Sequence, residues 1–219
     1  DLRQTRVTQP AIFLHSVVAC RLLNQMRPDM VAGHSLGEFS ALVIAGTLDM
    51  GDALRLVSER ALAMQEACEL QPGTMAAVLA LADDKVVEVC SSIEDIVVAA
   101  NFNCPGQIVI AGATAAVDKA NEEMKAAGAK RCIVLHVSAP FHSTMMKPAS
   151  ERLAEVLAPI EIKDAVFPVV ANVTAEEVVS GALIKELLVK QAAMPVLWET
   201  SVRNMVAGGV DTFVEVGPS

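Results

Sequence analysis

Gly33-His34-Ser35-Leu36-Gly37-Glu38 holds the residues whose types and spacing point most directly to chemistry. An apolar run, Met30 to Ala32, leads into Gly33, and a helix-competent run, Phe39 to Ala45, follows Glu38. Strand, tight turn and helix around Gly-x-Ser-x-Gly make a nucleophile elbow, in which the strained turn lifts the serine hydroxyl clear of the sheet. Glycines on either side let neighbouring chain pass without a Cβ clash. The helix that starts there aims unpaired N–H groups at negative charge forming beside Ser35. Ser35 is therefore a candidate acyl acceptor, although the pentapeptide alone also fits a loop with no chemistry.

A serine hydroxyl needs a base at neutral pH. His15, His34, His136 and His142 are the histidines of the chain. His15 lies within a helical pattern and reads as a packed or surface residue. His34 is bonded to Ser35 on a sharp turn where adjacent side chains diverge, so it reads as structural. His136 alternates with Leu135 and Val137 on a strand and faces away from the core. His142 follows Pro140 in a loop at the seam between two units of the chain, where pockets form, and is the candidate base. No histidine follows it. Ordinary α/β-hydrolases run Ser, Asp, His with the histidine late, so the order argues against a plain esterase.

Arg60 is the other unusual residue. Leu56, Val57, Ala63 and Met64 occupy its helical neighbour positions, so no carboxylate is within local reach. Arg55, with Asp52 and Glu59 nearby, reads as a solvated face. Arg60 either snorkels to water or faces the Ser35 pocket, where its fork would suit the carboxylate of a carboxyacyl substrate.

These residues need a scaffold. A chain of 219 residues, more than half apolar, can bury a full core. The net charge of −9 disfavours a nucleic-acid partner, and no apolar run approaches the ~18 residues that span a bilayer. The scattered Cys20, Cys68, Cys90, Cys104 and Cys132 suggest reduced thiols and no zinc site. Residue 1 is Asp and the chain stops at Gly217-Pro218-Ser219, from which we expect a piece of a longer protein.

Thr8 to Met26 reads as a helix capped by Thr8, with Pro10 in its first turn and Ile12, Val18, Leu22 and Met26 near one face. Asp52 to Cys68 is a second amphipathic helix. From Thr74 to Ser138 the pattern becomes strand (75–81), helix (83–91), strand (96–101), turn (103–106), strand (107–111), helix (114–127) and strand (131–137). This βαββαβ order is that of a ferredoxin-like unit. Afterwards come a helix to Leu157, a strand at 167–171, a helix at 182–191, a helix from Pro195 to about Val206 and a strand at 210–216. The expected fold class is α/β: a hydrolase-like, mostly parallel sheet in a discontinuous domain of residues 1–73 and 139–219, with an inserted ferredoxin-like subdomain at 74–138.

Gly33-His34-Ser35-Leu36-Gly37-Glu38, Ser58-Glu59-Arg60-Ala61-Leu62-Ala63-Met64-Gln65, Asn101 to Gln107, Pro140-Phe141-His142-Ser143 and Val216-Gly217-Pro218 together resemble the malonyl-CoA:acyl carrier protein transacylase family, which includes acyltransferase domains of fatty-acid and polyketide synthases. The resemblance implies that Ser35 takes malonyl from coenzyme A as an ester and passes it to the phosphopantetheine thiol of acyl carrier protein. It makes His142 base and then acid, Gln191 the residue whose backbone carbonyl orients it, and the Leu36 N–H an oxyanion donor. Arg60, Phe141 and Asn172 become substrate-binding residues, Phe141 leaving little room for an α-methyl group. No metal and no cofactor is implied beyond the coenzyme A thioester substrate and the carrier's phosphopantetheine.

The expected partner is acyl carrier protein, with no nucleic acid and no membrane, and the expected state a monomer. The setting is bacterial cytoplasm or, in a eukaryote, a plastid or mitochondrial matrix. Lys119, Lys125, Lys130 and Arg131 could meet an acidic carrier or simply be a solvated face. The family's N-terminal strand and Gly-Gln-Gly loop, source of a second oxyanion donor, have no match in these residues, so the piece alone is expected to be a poor enzyme. The alternatives are a serine hydrolase or thioesterase of α/β type, and a docking domain without chemistry.

Overall fold

The computed structural model of the chain describes residues 4–23, 27–135, 137 and 139–218. The expectations for His136 and for the helix end at Met26 lie outside the described residues. The chain starts with α1 (Thr5–Leu22), β1 (Val31–Ala32), α2 (Leu36–Ile44) and α3 (Met50–Leu70). α1 begins ahead of Thr8, whose hydroxyl donates to the Gln4 carbonyl from inside the helix and so is no N-cap. Pro10 accordingly sits in the helix interior. The buried face is Gln9, Phe13 and Val17, an i, i+4, i+8 row, while Val18 and Leu22 are exposed. Apolar residues occur on several sides of this helix, which is why the expected face was out of phase.

A second unit follows: β2 (Gly73–Leu79), α4 (Asp83–Ser92), β3 (Val97–Cys104), β4 (Gln107–Ala113), α5 (Thr114–Ala126) and β5 (Arg131–Val134). Its strands form one antiparallel sheet in the order β3-β4-β2-β5, the order of a ferredoxin-like fold. Pro105 and Gly106 (φ 73°) turn β3 into β4, proline supplying the fixed φ and glycine the left-handed one. Strand alternation buries both faces. Ala76 and Val78 pack with Val86, Val117 and Met124 under the helices, whereas Met75 and Ala77 pack on the opposite face with Val109 and Phe141. The chain enters and leaves this sheet at one place, since a Cβ on Gly73 would come within 2.6 Å of Pro140.

The return passes through a 3₁₀ turn (Thr144–Met146), α6 (Lys147–Leu157), β6 (Val169–Val170), β7 (Glu177–Val178), α7 (Gly181–Gln191) and α8 (Trp198–Ala207). β1 pairs parallel with β6, and β6 antiparallel with β7, a strand the sequence did not suggest. Phe13, Phe39, Leu42, Leu56, Leu153, Leu157 and Leu188 form the core around this sheet. Residues 210–216, expected as a strand, join no sheet among the described residues, and Phe213 and Val214 are each 52% exposed. β-propensity alone does not make a strand without a neighbour to bond it.

Candidate active site

β1 delivers the chain to Gly33 at the floor of the elbow. A Cβ there would collide with the Gly37 carbonyl group, so only glycine fits, whereas a Cβ on Gly37 would meet nothing within 4 Å. One glycine of the motif is thus a steric necessity and the other is not. Ser35 takes φ 52°, a left-handed conformation that non-glycine residues adopt at a cost of about 1–3 kcal/mol. Tertiary hydrogen bonds hold it there. The Ser35 N–H donates to Asn172 Oδ1 at 2.6 Å, and Asn172 Nδ2 donates to the Gly33 carbonyl at 2.8 Å.

Asn172 is fully buried and its amide is spent on the elbow. Expected to meet substrate, it here braces the turn from behind.

His142 comes from the loop after β5 and also has a left-handed backbone, φ 58°. Its Nε2 lies 2.7 Å from Ser35 Oγ, and its Nδ1 faces the backbone carbonyls of Gln191 at 2.9 Å and Met194 at 3.2 Å. Carbonyls only accept, so Nδ1 carries the proton and bare Nε2 faces the hydroxyl. Burial, together with the nearby Arg60 charge, lowers the imidazole pKa to about 3, so it stays neutral and able to accept a proton.

Arg60 is 3% exposed, held on α3 among Leu56, Val57 and Met64. It does not snorkel. Nη1 donates to Gln9 Oε1 at 2.6 Å, while Nη2 donates to Ser35 Oγ at 3.0 Å and to Gln191 Oε1 at 3.2 Å. The guanidinium lies 5.5 Å from the centroid of the Phe39 ring, and its Nε, also buried, has no hydrogen-bond partner among the described residues. No carboxylate pairs directly with it among the described salt bridges. By contrast Arg55 pairs with Asp52 on the surface at 3.6 Å, and Glu59 turns to Arg152.

Gln191, at the end of α7, joins these parts. Beyond its backbone carbonyl on His142, its side-chain Nε2 donates to the Ser35 carbonyl at 2.8 Å and to Glu38 Oε2 at 2.7 Å. Phe141 is half-buried beside His142 and packs against both Met75 and Met64 clusters. The Leu36 N–H opens α2, and no acceptor for it occurs among the described hydrogen bonds. His34 turns away from the hydroxyl: its Nε2 is 2.9 Å from Asn103 Oδ1 on β3 and its ring meets Trp198 edge-on. His15 is exposed on α1.

Gln9 and Glu38 escaped the reading of the sequence. Gln9 shares the α1 row of Phe13 and Val17, a pattern that could have marked it as inward-facing. Glu38 looks from sequence like a solvated acid at a helix N-terminus. Lys119, Lys125, Lys130 and Arg131 are exposed, Lys119 lying 3.9 Å from Glu123. Among the described residues no group of His, Cys, Asp or Glu could hold a metal ion, and no helix is long and apolar enough to cross a membrane.

A serine hydroxyl bonded to a neutral imidazole, with the other ring nitrogen anchored, has the arrangement that activates a nucleophile. The model of the acyl transferase domain family matches residues 1–219. The chain belongs to the acyl transferase domain family. Within that family it is 44% identical, over its full length, to malonyl CoA-acyl carrier protein transacylase of Bacillus subtilis, of which it covers 70%. The solved structure of the Coxiella burnetii transacylase is 37% identical with a TM-score of 0.96, covering all of this chain and 71% of that one. Similar too is a malonyl-transacylase solved with a type II polyketide synthase acyl-carrier protein, at 42% identity and TM-score 0.96, covering all of this acyl transferase chain and 72% of the other.

Proposed function

We propose that this chain carries malonyl from malonyl-CoA to the phosphopantetheine thiol of acyl carrier protein through an ester on Ser35, in fatty acid or polyketide synthesis. The observation that carries the reading is the double bonding of one hydroxyl: Ser35 Oγ donates to His142 Nε2 at 2.7 Å and accepts from Arg60 Nη2 at 3.0 Å. Base and carboxylate grip thus meet at a single oxygen. As Ser35 Oγ attacks the thioester carbonyl, its proton passes to His142 Nε2, and the resulting imidazolium is braced by the Gln191 and Met194 carbonyls. The oxyanion is met by the Leu36 N–H. Collapse expels the coenzyme A thiol, which takes the proton from His142. The carrier thiol then repeats the sequence in reverse, returning the proton to Ser35.

Arg60 acts on the other end of the acyl group. Its unpartnered Nε and the long Nη2 bond to Gln191 leave donors for a carboxylate, a charge-assisted contact worth about 1.5–3 kcal/mol. Phe141, packed beside the base, narrows the space at the α-carbon.

Mass spectrometry after incubation with malonyl-CoA tests the reading. The expected result is a malonyl adduct on Ser35, absent in Ser35→Ala, that persists until acyl carrier protein is added. Steady release of malonate without carrier would instead indicate a serine hydrolase, and no adduct at all would indicate a domain without this chemistry.

A further inference from the structure

Burying a guanidinium is costly unless an anion balances it, and Arg60 has no direct carboxylate partner among the described residues. The nearest carboxylate is one side chain removed. Glu38, 3% exposed on α2, accepts from Gln191 Nε2 at 2.7 Å, and the same amide presents its Oε1 to Arg60 Nη2 at 3.2 Å. Each end of the Gln191 amide has a partner of the right kind, acceptor to its NH₂ and donor to its oxygen. Reversing the amide would set NH₂ against guanidinium and oxygen against carboxylate, so Glu38 and Arg60 together fix its direction. The arrangement is an ion pair with an amide inserted.

We propose that Glu38 is the counter-charge of Arg60 while the guanidinium awaits its substrate, acting through the Gln191 side chain, and that it gives up this role when the acyl carboxylate arrives. The indirectness is what makes it useful. A carboxylate bonded straight to Arg60 would occupy the fork that the substrate needs, whereas one placed behind Gln191 offsets the buried charge and leaves Nε free. When a malonyl carboxylate reaches Arg60, two anions share one cation and Glu38 takes up a proton. Burial has already raised its pKa to about 7, against the opposing pull of Gln191, Asn172 and Arg60, so little is needed to complete the change. Glu38 is thus a positioning residue that sets selectivity for carboxyacyl over neutral acyl groups.

The charged group that acts on Glu38 is Arg60 from α3; Arg60 also acts on His142 from the loop after β5, as does His34 from the elbow. α7 and the segment after β6 present the neutral Gln191 and Asn172 to its carboxylate. His142 serves every acyl group alike, so its titration cancels in a ratio of substrates.

The proposal rests on the malonyl-transfer reading above, and the test separates the two. Rates of Ser35 loading are measured with malonyl-CoA and acetyl-CoA between pH 6 and pH 8.5. In the unaltered protein the malonyl-to-acetyl ratio rises roughly three- to tenfold as pH falls and Glu38 becomes neutral, a modest effect for one charge at an effective dielectric near ~20. Glu38→Gln holds the ratio at its low-pH level across the range. A flat ratio in the unaltered protein overturns the counter-charge role, and that outcome can be read even if the variant fails to fold. A pH dependence that survives in Glu38→Gln assigns the effect to His34 and overturns it too. Absence of malonyl loading at every pH removes the transfer reading, and this proposal falls with it.

Discussion

Arg60 shows how a single side chain can be read for function by the partners it lacks. Its neighbours on α3 are apolar, and its donors go to Gln9, Ser35 and Gln191, each a neutral oxygen. Arg60→Ala should therefore slow malonyl loading by tenfold to about a hundredfold more than acetyl loading, the equivalent of ~1.5–3 kcal/mol. Some loss with acetyl is also expected, because Nη2 bonds the nucleophile and Gln9 loses its partner. Single-turnover loading with the two thioesters measures the difference, and equal losses would remove the carboxylate role. The sequence already exposed the isolation of Arg60, since an i±4 neighbourhood is local information. It could not expose Gln9 or Glu38 in the same way. Their bonds to this cluster span 51 and 153 residues and exist only once α1, α2, α3 and α7 have packed.

At the scale of elements, the elbow is where local sequence and tertiary structure agree most closely. Gly-x-Ser-x-Gly announced the turn, yet the two glycines differ: Gly33 lies against the Gly37 carbonyl, and Gly37 faces open space. Gly33→Ala should lower the melting temperature and abolish Ser35 loading, because backbone must move to admit the methyl. Gly37→Ala, inside α2, should melt within about 2 °C of the parent or above it, alanine being the better helix former. Thermal unfolding with a loading assay distinguishes them, and a Gly33→Ala protein that melts and loads like the parent would refute the steric argument. The βαββαβ unit was legible for a similar reason, its apolar strand runs and helical stretches following one another locally and its turn marked by Pro105-Gly106. Residues 210–216 misled because strand-like composition says nothing about whether a neighbour is present to pair. β7, a two-residue strand, falls below any periodic signal.

For the molecule as a whole, the buried site makes stability depend on pH through opposed groups. Glu38 has an ordinary pKa of 4.5 and a folded value of about 7, so the folded state holds its proton more tightly. Its contribution is complete below pH 4.5 and is lost as pH rises to about 7. His142 runs the other way. Its ordinary value of 6.5 falls to about 3 on folding, so its contribution is complete above pH 6.5 and is lost as pH drops toward 3. Between pH 4.5 and 6.5 the slopes oppose each other and the parent's stability varies little from these groups. Single variants uncover them. Relative to the parent, Glu38→Gln should gain unfolding free energy steadily from pH 4.5 to 7 and then level off, whereas His142→Gln should gain it as pH falls from 6.5 toward 3. At about 1.4 kcal/mol for each unit of pKa shift, both trends stand well above the error of urea unfolding curves. A difference curve that stays flat for Glu38→Gln would mean that the pull of Gln191, Asn172 and Arg60 fully offsets the burial of its carboxyl and leaves its pKa at the ordinary value.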